Sequence, residues 1–209
     1  MSSRITRREE LRARRQAEAV AAARSQRMKR WIAWGSSLVV VTLIVVMLVT
    51  SRTTSTNSTR TAPDFTLTTT NNSQVSLSSL RGQPVLLYFN EGAGCGACFT
   101  QMQAIEKQKA AFDALKVRVL PIVMNTRTQI LPDLQAAGLS TPFLLDDGTV
   151  SQEYGVLGKG MHEGLPGHGF VLIDSTGVQR WYGEYPSMWL DPTSLLQEVK
   201  THLSGSAKN

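Results

Sequence analysis

Residues 84–98 read PVLLYFNEGAGCGAC, and this stretch decides the fold. Its first part, 84–90, is a nearly continuous apolar run, which is typical of a β-strand buried on both faces. Three glycines then interrupt the chain around the first cysteine: Gly92, Gly94 and Gly96. Beyond them, CFTQMQAIEKQKAAFDAL (98–115) has the spacing of an amphipathic helix. The sequence therefore places Cys95 and Cys98 at a strand-to-helix junction.

This placement of the two cysteines predicts thiol chemistry. The unpaired N–H groups and the positive dipole end of a helix stabilise a thiolate, which is the form of cysteine that attacks disulfides and peroxides. We expect Cys95, the earlier and more exposed residue, to be the nucleophile. Cys98 is then positioned to attack the resulting mixed disulfide and to leave an oxidised Cys95–Cys98 pair. A static disulfide across so short a loop would add little stability, and a zinc site would need two more ligands.

The remaining sequence alternates strand and helix patterns. Two short β-prone runs flank Asn71-Asn72-Ser73, which predicts a hairpin. Further strands are predicted at 117–124, 141–145, 169–174 and 178–185. A helix closes the chain, with Pro192 in its first turn. This order predicts an α/β fold in which a central mixed β-sheet has helices on both faces and an N-terminal β-hairpin extension.

The N-terminal part of the chain predicts a membrane anchor. Residues 1–30 contain ten Lys or Arg against three Glu, whereas the rest of the chain carries a net charge of −1. Residues 31–50 are uncharged, and at about 1.5 Å per residue a helix of this length matches the roughly 30 Å hydrocarbon core of a bilayer. We therefore predict a helical basic arm (1–30), a single transmembrane helix (31–50), a Ser/Thr-rich linker (51–61) and a folded domain (62–209).

This layout predicts the cellular location of the protein and its partners. By the positive-inside rule the arm stays in the cytoplasm and the folded domain is extracytoplasmic, so we expect a single-pass protein of the cell membrane. The expected partners are the lipid bilayer, exported protein thiols or disulfides, and a membrane or extracytoplasmic electron donor, since no cytosolic glutathione pool reaches the domain. The near-neutral folded domain does not favour nucleic-acid binding. We expect no cofactor and no metal.

Three motifs in the same order carry a resemblance to a known superfamily. They are Ala62-Pro63-Asp64-Phe65-Thr66-Leu67, LSSLRGQPVLLYFNEGAGCGAC (77–98) and GFVLIDSTGVQRW (169–181). Over residues 62–204 the chain resembles the thioredoxin-fold superfamily, in particular its membrane-tethered TlpA/ResA-type and AhpC/TSA (redoxin, peroxiredoxin-like) branch. The resemblance implies a thioredoxin-like fold and thiol–disulfide chemistry.

The chain departs from these families at several positions. Peroxiredoxins carry Pro-x-x-x-Thr-x-x-Cys around the reactive cysteine, where this chain has Tyr88 and Gly92 before Cys95. The superfamily's cis-proline, which faces the disulfide, is expected just before the strand GFVLID. Pro166 is the nearest candidate, and His168 is the alternative for the facing position.

Two further side chains are candidate auxiliary groups. Glu91 is the carboxylate nearest to the cysteines along the chain and is a candidate proton acceptor for Cys98. If His168 faces the disulfide, we expect it to increase the thiolate fraction of Cys95 or to shuttle a proton.

We interpret the sequence first as a membrane-tethered extracytoplasmic thiol–disulfide oxidoreductase. The alternative is a two-cysteine thiol peroxidase, a peroxiredoxin-like antioxidant enzyme in which Cys95 reduces peroxides and Cys98 resolves the sulfenic acid. A second alternative is a copper chaperone of the Sco type, because two thiolates suit Cu(I). That family has three residues between its cysteines, whereas this chain has two.

Overall fold

A computed structural model describes residues 54–158 and 163–204, together with six residues of the N-terminal segment: 34, 40–42, 44 and 45. These six residues are helical. The predicted basic arm and most of the predicted transmembrane helix lie outside the described residues. Within the part of the chain that is described, no helix is both long enough and apolar enough to cross a membrane.

The folded domain is built on one mixed sheet of eight strands in the order β1-β8-β7-β4-β5-β6-β2-β3. The strands are β1 (Thr54–Thr61), β2 (Thr66–Thr69), β3 (Gln74–Ser76), β4 (Val85–Phe89), β5 (Arg118–Val123), β6 (Leu144–Leu145), β7 (Gly169–Ile173) and β8 (Val178–Glu184). Strands β4, β5 and β6 are parallel to one another, and β7 and β8 continue the sheet as an antiparallel pair. This arrangement confirms the predicted α/β, thioredoxin-like mixed sheet.

Helices cover both faces of this sheet, as predicted. They are α1 (Gly96–Lys107), α2 (Lys109–Ala114), α3 (Arg127–Ala136), α4 (Thr149–Tyr154) and α5 (Pro192–Ser204), with a 3-10 turn at Ser78–Leu80. The apolar side chains of α1, α2, α3 and α5 form one core cluster with Leu86 and Tyr88 of β4. Those of α4 form a second cluster with Val85, Leu87 and Phe89, which point to the opposite face.

Strand β4 is the centre of the domain, because all five of its residues are buried. It pairs with β5 on one side and β7 on the other, so that Phe89 lies opposite both Ile122 and Gly169. The carboxyl end of β4 therefore meets the amino end of β7. This register brings the Cys95 loop and the segment before Gly169 to the same end of the sheet.

The predicted hairpin is present. Strands β2 and β3 pair with Leu67 opposite Val75. Asn72 in the connecting turn has a φ of 65°, a left-handed conformation that asparagine tolerates better than most residues.

The predicted linker at 51–61 is wrong over most of its length. Thr54–Thr61 forms strand β1, which pairs antiparallel with β8 along one edge of the sheet. The Ser/Thr-rich composition of this segment prevents it from forming a hydrophobic core of its own. An edge strand, however, depends on main-chain hydrogen bonds and needs few apolar side chains, and threonine favours β-structure. The indole N–H of the buried Trp181 also donates to Ser55 Oγ at 2.8 Å.

The predicted helix over 98–115 is divided in the structure. Helix α1 ends at Lys107, and α2 begins at Lys109 after Gln108, whose φ of −103° and ψ of 15° leave the helical region. The break lets Phe112 of α2 reach the same core cluster as Met102 and Ile105 of α1.

Candidate active site

Cys95 and Cys98 form a disulfide at the amino terminus of α1. Their Cα atoms are 5.3 Å apart, and Cys95 is the residue that caps the helix. Cys95 is partly exposed, whereas only 1% of the surface of Cys98 is accessible. An attacking molecule therefore reaches the Cys95 sulfur first, as expected for the nucleophile of the pair.

The first turn of α1 presents a hydrogen-bond donor to the outer sulfur. The N–H of Cys98 donates to Cys95 Sγ at 3.2 Å. When the disulfide is reduced, the same N–H and the positive end of the helix favour negative charge on that sulfur. The first turn of α1 therefore suits a thiolate on Cys95, the predicted nucleophile.

The loop that leads to Cys95 is held by one side chain just after β4, one just after β5 and one from α3. The N–H of Gly92 donates to Asn90 Oδ1 at 3.1 Å, and the N–H of Ala93 donates to Asn125 Oδ1 at 2.9 Å. Gly94 N–H donates to Asp133 Oδ2 of α3, also at 2.9 Å. These bonds fix the position from which the chain enters α1.

Gly92 has no room for a side chain. Its φ is +76°, and a Cβ built on it would overlap the Asn125 side chain. A threonine hydroxyl at this position, where the peroxiredoxin motif has one, is therefore incompatible with this loop. The difference from the peroxiredoxin motif at Gly92 therefore involves the backbone conformation of the loop, and not only the identity of the side chain.

A group of three buried polar side chains lies behind Cys98. Tyr88 Oη is 3.2 Å from the carbonyl oxygen of Cys98 and 3.2 Å from His168 Nδ1. His168 Nε2 is 3.4 Å from Gln101 Oε1. Gln101 in turn exchanges two hydrogen bonds with the main chain of Leu190, at 2.9 and 2.7 Å. We call Tyr88, His168 and Gln101 the buried triad.

Burial sets the protonation of the buried triad. It lowers the pKa of His168 to about 4, so the imidazole is neutral at neutral pH. It also raises the pKa of Tyr88 well above its usual value, with a smaller contribution from the charge of Glu91. A neutral imidazole cannot stabilise a thiolate by its charge, so any effect of His168 on the cysteines must pass through hydrogen bonds.

The other sequence candidates lie at the same end of the sheet in different roles. Glu91 lies close enough to Tyr88 for its charge to act on the hydroxyl, and its role as a proton acceptor stays a prediction. The peptide bond before Pro166 is trans, so the expected cis-proline is wrong for this residue. Pro166 instead forms an isolated antiparallel β-bridge with Leu157. The main chain of this segment is therefore paired with another part of the chain.

The sequence pattern alone does not identify Tyr88 or Gln101 as members of the site. Tyr88 falls inside an apolar strand, where its hydroxyl is the one side-chain polar atom, and Gln101 is the polar residue three positions after Cys98 on the buried side of α1. A buried tyrosine usually needs a hydrogen-bond partner for its hydroxyl, so a tyrosine inside an apolar strand is the sequence feature that indicates a buried polar contact.

A shallow groove of about 320 Å³ lies between α1 and α3, and it is lined by the neighbours of Cys95 rather than by either cysteine. Its lining includes Gly94, Gly96, Phe99 and Asp133. A larger cavity of about 720 Å³ lies at the opposite end of the sheet, beside Gln83 and Arg118, and neither cysteine lines it. Among the described residues no group of three or more His, Cys, Asp or Glu is arranged to hold a metal ion.

Comparison with known proteins places the chain among thiol-dependent enzymes. The sequence model of the AhpC/TSA family matches residues 59–181. Alkyl hydroperoxide reductase E of Mycobacterium tuberculosis is 30% identical over 125 residues, which cover 58% of this chain and 80% of that protein. A candidate peroxiredoxin, bcp of Haemophilus influenzae, is 28% identical over 130 residues, which cover 59% of this chain and 84% of that protein.

A solved structure is also similar. The solution structure of a candidate protein disulfide isomerase from Bacteroides thetaiotaomicron matches with a TM-score of 0.55 and 27% identity, over 71% of this chain and 94% of that chain.

The low pKa of His168 predicts a pH-dependent stability. Its pKa falls from 6.5 to about 4 on folding, so the unfolded chain binds more protons between these values and the folded state loses stability as pH falls through this range. The loss is at most about 3 kcal/mol. The His168→Asn variant, which lacks the imidazole, should lose less stability than the wild type between pH 6.5 and 4 in urea unfolding. Parallel losses in the two proteins would contradict the prediction.

Proposed function

Because this chain belongs to the AhpC/TSA family and is a thiol-dependent oxidoreductase, we propose that it is a peroxidase that reduces hydroperoxides with Cys95 and Cys98. The observation that carries the proposal is the Cys95–Cys98 disulfide at the amino terminus of α1, in which Cys95 is partly exposed and Cys98 is buried. The relatives named for peroxide chemistry support this alternative over disulfide exchange as the main activity.

The reaction follows from the order of the two thiols. The Cys95 thiol loses its proton, the thiolate attacks the terminal oxygen of the hydroperoxide, and the O–O bond breaks. The alkoxide leaves as an alcohol after it takes up a proton equivalent to the one that the thiol released. Cys95 is then a sulfenic acid. The thiol of Cys98 attacks its sulfur, the S–O bond breaks, and the hydroxyl group leaves as water with the thiol proton. The product is the disulfide between Cys95 and Cys98.

A second molecule must return the site to the dithiol. An external dithiol attacks the more accessible sulfur, Cys95, and becomes a disulfide itself while both cysteines recover their protons. The groove lined by Gly94 and Gly96, the two neighbours of Cys95, offers a path of approach to this residue. The complete cycle converts a hydroperoxide and a dithiol into an alcohol, water and a disulfide.

Thiol–disulfide exchange is the second candidate, and specific observations favour it. Gly92 and Tyr88 stand where the peroxiredoxin motif has threonine and proline, and the backbone at Gly92 excludes a threonine. The similarity to the candidate disulfide isomerase also supports thiol–disulfide exchange. In this case the first oxidant of Cys95 is a protein disulfide rather than a peroxide. The copper-chaperone interpretation stays a prediction.

We retain membrane tethering as part of the proposal. The uncharged segment 31–50 after the basic arm supports it, and it would supply the bilayer contact, the exported protein substrates and the extracytoplasmic electron donor. The full chain should stay with the membrane fraction after alkaline extraction, because a spanning helix resists this treatment. Release of the chain into the supernatant would contradict the anchor.

The two variants in which one cysteine is replaced by serine should react differently with hydroperoxide. Reduced Cys98→Ser protein treated with cumene hydroperoxide should hold a sulfenic acid on Cys95, detected by dimedone labelling and mass spectrometry, because its resolving thiol is gone. Cys95→Ser protein should consume no peroxide, since the buried Cys98 lacks access. Wild-type protein should give the intramolecular disulfide and no label.

The same experiment identifies the failure of the proposal. If hydroperoxide leaves the wild-type dithiol unchanged while a protein disulfide oxidises it rapidly, the peroxidase assignment is wrong and disulfide exchange takes its place. Dimedone labelling of Cys98 rather than Cys95 would reverse the assigned roles.

A further inference from the structure

The buried triad contacts the active-site helix but takes no part in the proposed steps. Tyr88 and Gln101 are fully buried, and His168 is 1% exposed. Such groups lie in a medium of low dielectric constant, where each donor and acceptor needs a partner. The arrangement of their hydrogens therefore follows from counting donors and acceptors.

Gln101 has an amide group of fixed orientation. Its Nε2 donates to the carbonyl oxygen of Leu190, and its Oε1 accepts the N–H of Leu190, which fixes the orientation of the amide. Gln101 Oε1 faces His168 Nε2 and can only accept, so Nε2 carries the proton of the neutral imidazole. His168 Nδ1 is then an acceptor.

The Tyr88 hydroxyl has one proton and two acceptors. The carbonyl oxygen of Cys98 and His168 Nδ1 are each 3.2 Å from Tyr88 Oη. His168 Nε2 is 3.5 Å from the same oxygen, but its proton is assigned to Gln101 Oε1, which is 3.4 Å away. Neither acceptor has a proton to give, so the two compete for the hydroxyl proton. The proton turns either toward α1 or away from it.

The direction of this proton matters for Cys95. Cys98 is held on two sides, because its carbonyl oxygen faces Tyr88 while its N–H donates to Cys95 Sγ at 3.2 Å. A hydroxyl proton aimed at the first turn of α1 adds positive potential there and holds the turn that carries the donor. Both effects favour a thiolate at Cys95.

We propose that Tyr88 is a positioning residue that increases the reactivity of Cys95 through Cys98, and that His168 opposes it by competing for the Tyr88 hydroxyl proton. The proposal rests on the proposed role of Cys95 as the nucleophile, whether its substrate is a peroxide or a disulfide. It assigns opposite effects to two residues that are in direct contact. A merely structural role would give losses of the same sign.

The test is the rate at which iodoacetamide alkylates Cys95 in the reduced protein across a range of pH, with the modified residue identified by mass spectrometry. Tyr88→Phe removes the hydroxyl alone, so its rate at acidic pH should fall by about twofold to tenfold, the range for one hydrogen bond. His168→Leu removes the competitor, and its rate should equal or exceed that of the wild type. His168→Asn keeps an acceptor near Nδ1 and should resemble the wild type.

Tyr154→Phe is the matched control. Tyr154 is also a buried tyrosine, but its hydroxyl donates to the carbonyl oxygen of Pro63 at 2.7 Å and its ring packs in the core cluster on the other face of the sheet. The variant loses a comparable hydrogen bond without changing the buried triad. The charged groups nearest the cysteines, Glu91 and Asp133, are unchanged in all four variants.

Two results would overturn the proposal. One is an alkylation rate in Tyr88→Phe that equals the rate in Tyr154→Phe. The other is a slower alkylation rate in His168→Leu than in the wild type. This result would contradict the proposal even if Tyr88→Phe does not fold. Because alkylation needs no peroxide, a protein that fails in peroxide turnover still answers this question.

Discussion

The chemistry of this protein depends on the hydrogen bond from the Cys98 N–H to Cys95 Sγ in the first turn of α1. That bond exists because strand β4, buried on both faces, ends at a fixed place and passes the chain into a helix within a few residues. The Gly92 loop and its contacts to Asn90 and Asn125 set the distance between the strand and the helix. These elements fix where the first turn of α1, with its N–H to sulfur hydrogen bond, lies relative to the sheet.

The same constraint explains the departure from the peroxiredoxin motif. The backbone at Gly92 is left-handed and lies against Asn125, so the loop has no place for the threonine of the motif. Tyr88 fills the proline position with a side chain that points into the core and reaches Cys98 from behind. In our proposal the groups that activate Cys95 therefore come from the first turn of the helix and from Tyr88, rather than from the loop before Cys95.

The sequence was sufficient for the features that local pattern controls. The apolar run of β4, the alternation of strands and helices, the hairpin around Asn72 and the two cysteines at a helix start follow from residue type and spacing. Strand β1 was missed because its stability comes from main-chain pairing with β8, which composition does not report. His168 was a candidate from the sequence, but its partners Tyr88 and Gln101 were missed, because the three side chains meet only when β4, α1 and the segment before β7 pack together.

The most direct test of the account compares two oxidants of the same reduced protein. Stopped-flow measurement gives the second-order rate constants for oxidation of the Cys95–Cys98 dithiol by cumene hydroperoxide and by an unfolded disulfide-bonded protein at equal pH. The account predicts that the hydroperoxide reacts faster and that one equivalent suffices to form the intramolecular disulfide. A larger rate constant for the protein disulfide would contradict it and would make disulfide exchange the function of the site.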